Sequence, residues 1–469
     1  MKTDQGINAL KKELFSEAFQ LFTEAAEEGE VAALTYLAGM YEEGVGVEEN
    51  IEKALSLFHD AAYGGDAQAQ SRLGYLYAVG KYVDENLGAA VEFHRLAANQ
   101  GYVNSQCDLG RHYAQGIGVD QDLEKARYWY EQAADAGHEL ALSRLIALLL
   151  SHNNPNREPE TAIKLLEIIA DSGKVQAQFE LGAIKIGTTF PELKDLDNAI
   201  KWLSIAEKNG SAEAIFQIGN CYEHGIGVSQ DYEIAASKYL IADEAGIIEA
   251  TFGLGTFYQE GLGVKQDYSL AIDYYNKAAN SYHPSALFNL GRLHQFGLGV
   301  PVNILKAHDL YLLAAERGHV MCQFLVAQNL LNKEPEEIEE NPKEAVRWLN
   351  KAAEAGFTEA EAVLGFCLMA GKGTEKNISA AKTWSRLAAE KGHAWSQYRL
   401  AYLLLRYGDA TKEEFMEALK WLIASYNQPD EGDGKRHQLI MDDYNHIKSQ
   451  LSDEDFASVT ELATNFDPT

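Results

Sequence analysis

Five phenylalanines recur at close to one fixed interval in the middle of this chain: Phe179, Phe216, Phe252, Phe288 and Phe324. Each offers apolar area and a ring face, the means by which a protein groove holds an extended or helical segment of another chain. Four residues beyond this column, on the same side of a helix, the sequence carries Tyr75, Arg111, Asn220, Arg292 and Tyr402. The guanidinium groups of Arg111 and Arg292 are natural anchors for a carboxylate, because the planar fork matches its two oxygens. Each feature has a plainer role beside it. A phenylalanine at a fixed interval can pack one repeat on the next, and an arginine can simply be solvated.

Chemistry of the catalytic kind has no comparable pattern. There is no H-E-x-x-H, phosphate loop or G-x-S-x-G, so no catalytic residue is expected. His138, His319 and His393 each follow a glycine that closes a repeat and read as turn residues. The acidic run Glu336-Glu337-Ile338-Glu339-Glu340 reads as a solvated face. Cys107, Cys221, Cys322 and Cys367 lie in four different repeats, which suits small buried apolar residues better than a disulfide framework or a zinc site. No metal and no cofactor is expected. With 40 basic against 70 acidic side chains the net charge is -30, which argues against a nucleic-acid partner. No apolar run is long enough for membrane insertion, and the first 30 residues lack the core of a signal peptide. The expectation is a cytoplasmic protein, or a periplasmic or secreted one if a signal peptide has been removed.

The elements that must position these columns are helices. Leu73-Gly74-x-x-Tyr77, Leu109-Gly110-x-x-Tyr113, Ile218-Gly219-x-x-Tyr222 and Leu254-Gly255-x-x-Tyr258 are copies of one phrase, and most copies are followed by Gly-x-Gly-Val. From Gly44 to Gly80 to Gly116, and from Gly225 to Gly261 to Gly297, each step is 36 residues. Such a period means a solenoid of units that stack on their neighbours. Within a unit, a first helix ends at the glycine turn. Asn50, Asn86, Asp122, Asp231, Asp267, Asn303 and Asn377 then stand where a second helix needs a capping oxygen. That second helix closes on an Ala-Ala pair, and Trp129, Trp202, Trp348 and Trp384 on it read as core. Ala38, Gly74, Gly110, Ile146, Gly182, Gly219, Gly255, Gly291, Ala327, Gly365 and Ala401 mark one column and give about eleven repeats. The glycine of this column is expected to let another backbone come close. Three repeats depart from the pattern: the fourth at Ser151–Pro155, the fifth at Gly187–Pro191 and the ninth at Lys333–Pro342.

This column set, from Ser105 to Gly137 and from Ala250 to Ala279, resembles the Sel-like repeat family, a relative of the tetratricopeptide repeat. The resemblance covers almost the whole chain. It implies an all-α, right-handed superhelical solenoid of antiparallel helix pairs that serves as a scaffold for protein–protein contact. The expected organisation is an N-terminal capping helix over 1–30, the solenoid over 31–425 and C-terminal capping helices over 426–469, as a monomer or weak oligomer. The expected partner is a peptide or helix of another protein, held on the concave face by the columns named above. In the phenylalanine column the first four repeats carry Thr35, Ser71, Cys107 and Ser143, so a wider groove is expected early and an aromatic one later. Two other readings stand beside the adaptor. One is a small-molecule or cell-wall-fragment binder or hydrolase, whose paired cysteines in each repeat are missing here. The other is an acidic inhibitor of a basic toxin, whose acidic groove columns are likewise missing.

Overall fold

The computed structural model describes residues 1–409, 411–429 and 434–464. Among the described residues there are 26 α-helices and one short 3-10 turn, Pro191–Leu193, and no strand. No described helix is long and apolar enough to cross a membrane. The helices form two compact parts, Met1–Trp202 and Leu203–Thr469. In each, antiparallel pairs of mostly 13-residue helices follow one another in sequence order.

The third repeat shows how the sequence builds a pair. Its first helix, Val103–Gln115, ends at Gly116, whose φ of 68° is in the left-handed region that favours glycine. The second helix, Leu123–Asp135, begins at Asp122, whose carboxylate accepts from the Lys125 N–H. All seven Asn and Asp residues of that column cap a helix in this way. A second turn glycine then joins neighbouring repeats. A Cβ on Gly118 would lie 2.3 Å from the Leu87 carbonyl oxygen, at the start of the preceding repeat's second helix. Gly263 stands against Tyr232 and Gly373 against Pro342 in the same manner.

At Gly110, Gly219, Gly255 and Gly291 the glycine of the main column meets a ring instead of the expected backbone, whereas Gly365 lies against the Ser385 hydroxyl and backbone. A Cβ on Gly110 would lie 2.6 Å from the Tyr130 ring. On Gly219, Gly255 and Gly291 it would lie 2.7, 2.5 and 2.5 Å from Tyr239, Tyr275 and Tyr311. The buried aromatic of the second helix is thus the residue after the tryptophan column: Tyr130 is 3% exposed, whereas Trp129 and Trp384 are only half-buried. Trp202 and Trp348 are buried as expected.

The N-terminal segment also differs from the single helix that Asn8 to Gly29 suggests. It holds two helices, Lys2–Lys11 and Phe15–Glu27, with Glu13 at a φ of 59° between them. Phe22 is fully buried where it lies over Gly6, so the two form a closed pair. At the other end, Lys412–Asn427, Lys435–Lys448 and Asp453–Thr464 share a core that includes Trp421, Ile440, Ile447 and Val459. The sequence places the end of the last helix at Asn465, which lies outside the described residues.

Candidate partner-binding face

The phenylalanine column sits at a junction between repeats. Phe252 lies 5.9 Å from Tyr275 of its own repeat and stacks at 4.7 Å on His283 of the next. Phe288 repeats the arrangement with Tyr311 at 5.9 Å and His319 at 4.7 Å. Phe216 lies 5.5 Å from Tyr239, and Phe324 is buried 5.2 Å from Phe357. Phe179, Phe216, Phe252 and Phe288 remain half-buried, so each is packed in part and accessible in part.

The histidines after the closing glycines, and His283 after Tyr282 at the same place, have a role that the sequence did not reveal. Nδ1 of His138, His283, His319 and His393 accepts from the backbone N–H three residues on, which makes each an N-cap. Burial holds His283, His319 and His393 below the usual imidazole range. A neutral ring is what the cap needs, since a protonated Nδ1 could not accept and its charge would oppose the helix dipole.

The column four residues on is more open and varied. Tyr75 is 47% exposed, with the Arg72 guanidinium 5.3 Å from its ring centroid. Arg111 is half-buried and pairs with Asp108 of its own helix at 3.8 Å. Asn220 accepts from the Tyr239 hydroxyl at 3.0 Å. Arg292 is exposed, 5.9 Å from the Phe288 ring, with no described ion pair. Tyr402 is half-buried between Tyr398 at 6.4 Å and Arg406 at 5.8 Å.

Of the cavities on the first part of the molecule, two are lined by residues of the phenylalanine column and its small counterparts. One of about 550 Å³ is lined by Thr35, Ser71, Arg72, Tyr75 and Tyr102, among others, over the small residues of the first repeats. The other, of about 750 Å³, lies at the fourth and fifth repeats. It is lined by Leu142, Ile146, Leu150, Leu166, Ile169 and Phe179, among others. All four cysteines are buried and free, and burial pushes the Cys221 and Cys322 thiols up to about 11 and 12. At neutral pH they stay protonated and inert.

Sequence reasoning missed one further column, two residues before the glycine: Arg72, Arg144 and Arg399. Arg72 Nε donates to Glu42 at 3.1 Å, and a second guanidinium nitrogen pairs with the other carboxylate oxygen. Arg144 Nη1 reaches the Cys107 sulfur at 3.5 Å, and its guanidinium also stands beside the Tyr130 hydroxyl. Arg399 Nη1 donates to the Ala362 carbonyl at 2.5 Å. The signal was present in the recurrence of arginine at one column, but each partner comes from the preceding repeat.

The family model described as the Sel1 repeat matches eleven segments: 5–30, 31–66, 67–102, 103–138, 175–211, 212–237, 248–283, 284–319, 320–357, 358–393 and 396–430. The chain belongs to the Sel1 repeat family. The segment 139–174 is not among the matched ones, yet it too holds a helix pair, Glu139–Leu150 and Pro159–Asp171. The Escherichia coli protein c5321, a protective antigen of uropathogenic strains with an SLR fold, is similar over 95% of this chain and 93% of its own. Its sequence identity is 25% and the TM-score 0.52. A Sel1 repeat protein from Oxalobacter formigenes is 23% identical, covering 82% of this chain and 89% of its own, with a TM-score of 0.40. Mouse DAP3-binding cell death enhancer 1 is 39% identical over 82 residues, which is 18% of this chain and 16% of the mouse protein. These Sel1 repeats therefore make an all-α solenoid of stacked helix pairs.

Proposed function

We propose that the chain is a non-enzymatic adaptor that holds an extended or helical segment of another protein along its first-helix face. One observation carries this reading. The column of Tyr75, Arg111, Asn220, Arg292, Phe366 and Tyr402 changes chemistry from repeat to repeat, while the buried columns behind it stay Ala, Gly, Leu and Tyr. Tyr75 and Phe366 are exposed aromatics there, 47% and 41% accessible. A scaffold that fixes its core and varies one face has that face free to specify a partner. The half-open phenylalanines beside it would supply apolar area without being free to move.

The test is photo-cross-linking in the native cell. A cross-linking side chain at Tyr75, Arg292 or Phe366 should trap the same protein, and one at Tyr128 or Leu96, exposed on second helices, should not. A partner trapped only at Tyr128 or Leu96 would sink this reading.

A further inference from the structure

Arg399 lies on the first helix of the last repeat, Ala394–Tyr407. It is half-buried, and its guanidinium carbon stands 5.5 Å from the centroid of the Phe366 ring. Its described partners are that ring and the Ala362 carbonyl; no carboxylate pairs with it among the described residues. A guanidinium has five donors, and one carbonyl oxygen cannot satisfy them or balance the charge. Burial draws its pKa down to about 10, so it is still cationic at neutral pH.

The chain contains its own example of what completes such a group. Arg72 occupies the same column of the second repeat, and two of its guanidinium nitrogens bind the buried carboxylate of Glu42 in the repeat before. The position that supplies Glu42 there is Met369 before Arg399. The cation is repeated and the carboxylate is not. Around Arg399 the surface is aromatic. Trp395 is 45% exposed and lies 6.2 Å from Tyr398, while Phe366 is 41% exposed. Trp395, Arg399, Tyr402 and Arg406 fall at i, i+4, i+7 and i+11, one face of the helix. Arg406 is already matched by Asp443 at 3.1 Å.

We propose that Arg399 anchors a carboxylate presented by a partner segment, whose neighbouring apolar side chain lies against Phe366 and Trp395. The proposal rests on the adaptor reading and names the chemistry of its partner at this end. A carboxylate fits better than a phosphate. The internal pair at Glu42 sets the precedent, and a single half-buried arginine among aromatic rings leaves most of a phosphate's charge and oxygens unmatched.

The experiment uses the full chain and small probes followed by saturation-transfer NMR. N-acetyl-phenylalanine carries a terminal carboxylate beside a ring, and acetyl-glutamyl-phenylalaninamide carries it on a side chain. N-acetyl-phenylalaninamide carries none. At least one acid should bind about tenfold or more tighter than the amide, and which acid wins distinguishes a chain terminus from an acidic side chain. Arg399→Met should lose that preference with its melting curve unchanged, and Arg399→Lys should keep only part of it. Equal binding of acids and amide, no binding of either acid, tighter binding of inorganic phosphate, or full retention in Arg399→Met would each overturn the assignment. Should Arg399→Met not fold, the wild-type comparison of acid with amide and the Arg399→Lys variant still decide. Cross-links at Tyr75 and Arg292 would be untouched by that failure, so the adaptor reading and the anchor are judged separately.

Discussion

The third and fourth repeats run in the same register and lie in the same compact part, yet they pack differently. In the third, Gly110 receives the Tyr130 ring, Gly116 ends the first helix and Asp122 caps the second. In the fourth the same three positions are Ile146, His152 and Glu158. Ile146 and Leu166 face each other where glycine and tyrosine would be, both buried. Their helices meet more sparsely than the four helix pairs before them, and the apolar cavity opens beside them. Asn154 takes over the turn, donating to the Leu148 carbonyl at 3.0 Å and accepting from the Asn156 N–H. Glu158 makes no cap bond and instead receives Arg127 of the preceding repeat at 2.6 Å. A solenoid tolerates a poor repeat because its neighbours hold it from both sides.

The largest expected difference is in acid. Two imidazoles, His94 and His112, lie buried with ring centroids 5.6 Å apart at the junction of the second and third repeats. His94 fills the face of Gly74, and burial is the main force drawing its pKa down to about 4. His112 is lowered in the same direction, also by burial. The unfolded chain protonates His94 below about pH 6.5 and the folded chain does not until about pH 4. Stability is therefore whole above pH 6.5 and falls as the pH drops to 4, by roughly 3 kcal/mol for His94 alone. The melting temperature of the wild type should drop across that window. His94→Tyr, which copies Tyr130 over its glycine, should flatten the curve. An unchanged wild-type slope would mean that the pair is not shielded from water.

Next comes an exchange of the packing pair. Gly110→Ile drives a branched side chain into the Tyr130 ring and should cost about 3 kcal/mol by thermal or urea unfolding. Adding Tyr130→Leu recreates the fourth-repeat pair and should recover about 1 kcal/mol or more of that loss. Strict additivity would mean that the two repeats differ for a reason other than this contact. The smallest effect belongs to the caps. Asp122→Ala should cost about 1 kcal/mol, and Glu158→Ala should cost less because it caps nothing. Equal losses would remove the distinction.

Much of this was legible in the sequence because it is local. A cap is an oxygen three residues from the N–H it serves, so all seven Asn and Asp residues could be read from spacing alone. Gly110 was legible as a close approach, but the ring that fills it stands 20 residues later on another helix. Histidine capping was missed because histidine is not among the usual capping residues. The fates of Arg72, Arg144 and Arg399 were hidden for a similar reason: a column shows one repeat at a time, and their partners belong to the repeat before. Of the face columns, spacing gave the side of the helix. It gave neither the stacking of Phe252 and Phe288 on the next repeat's histidines nor the ion pair of Arg111.

The second turn glycine has a mechanical consequence. Where Gly118, Gly263 and Gly373 rest on the first residue of a neighbouring helix, backbone lies on backbone and no side chain separates the two. Such a seam has almost no slack and resists shear between repeats. In the first part of the chain Gly46 and Gly118 make this seam, whereas the second repeat has Tyr82 in that place and the turns Ser151–Glu158 and Thr188–Asp195 of the fourth and fifth hold no glycine. Under a pulling force the first part of the chain should yield at those three turns before it yields at the seams of Gly46 and Gly118.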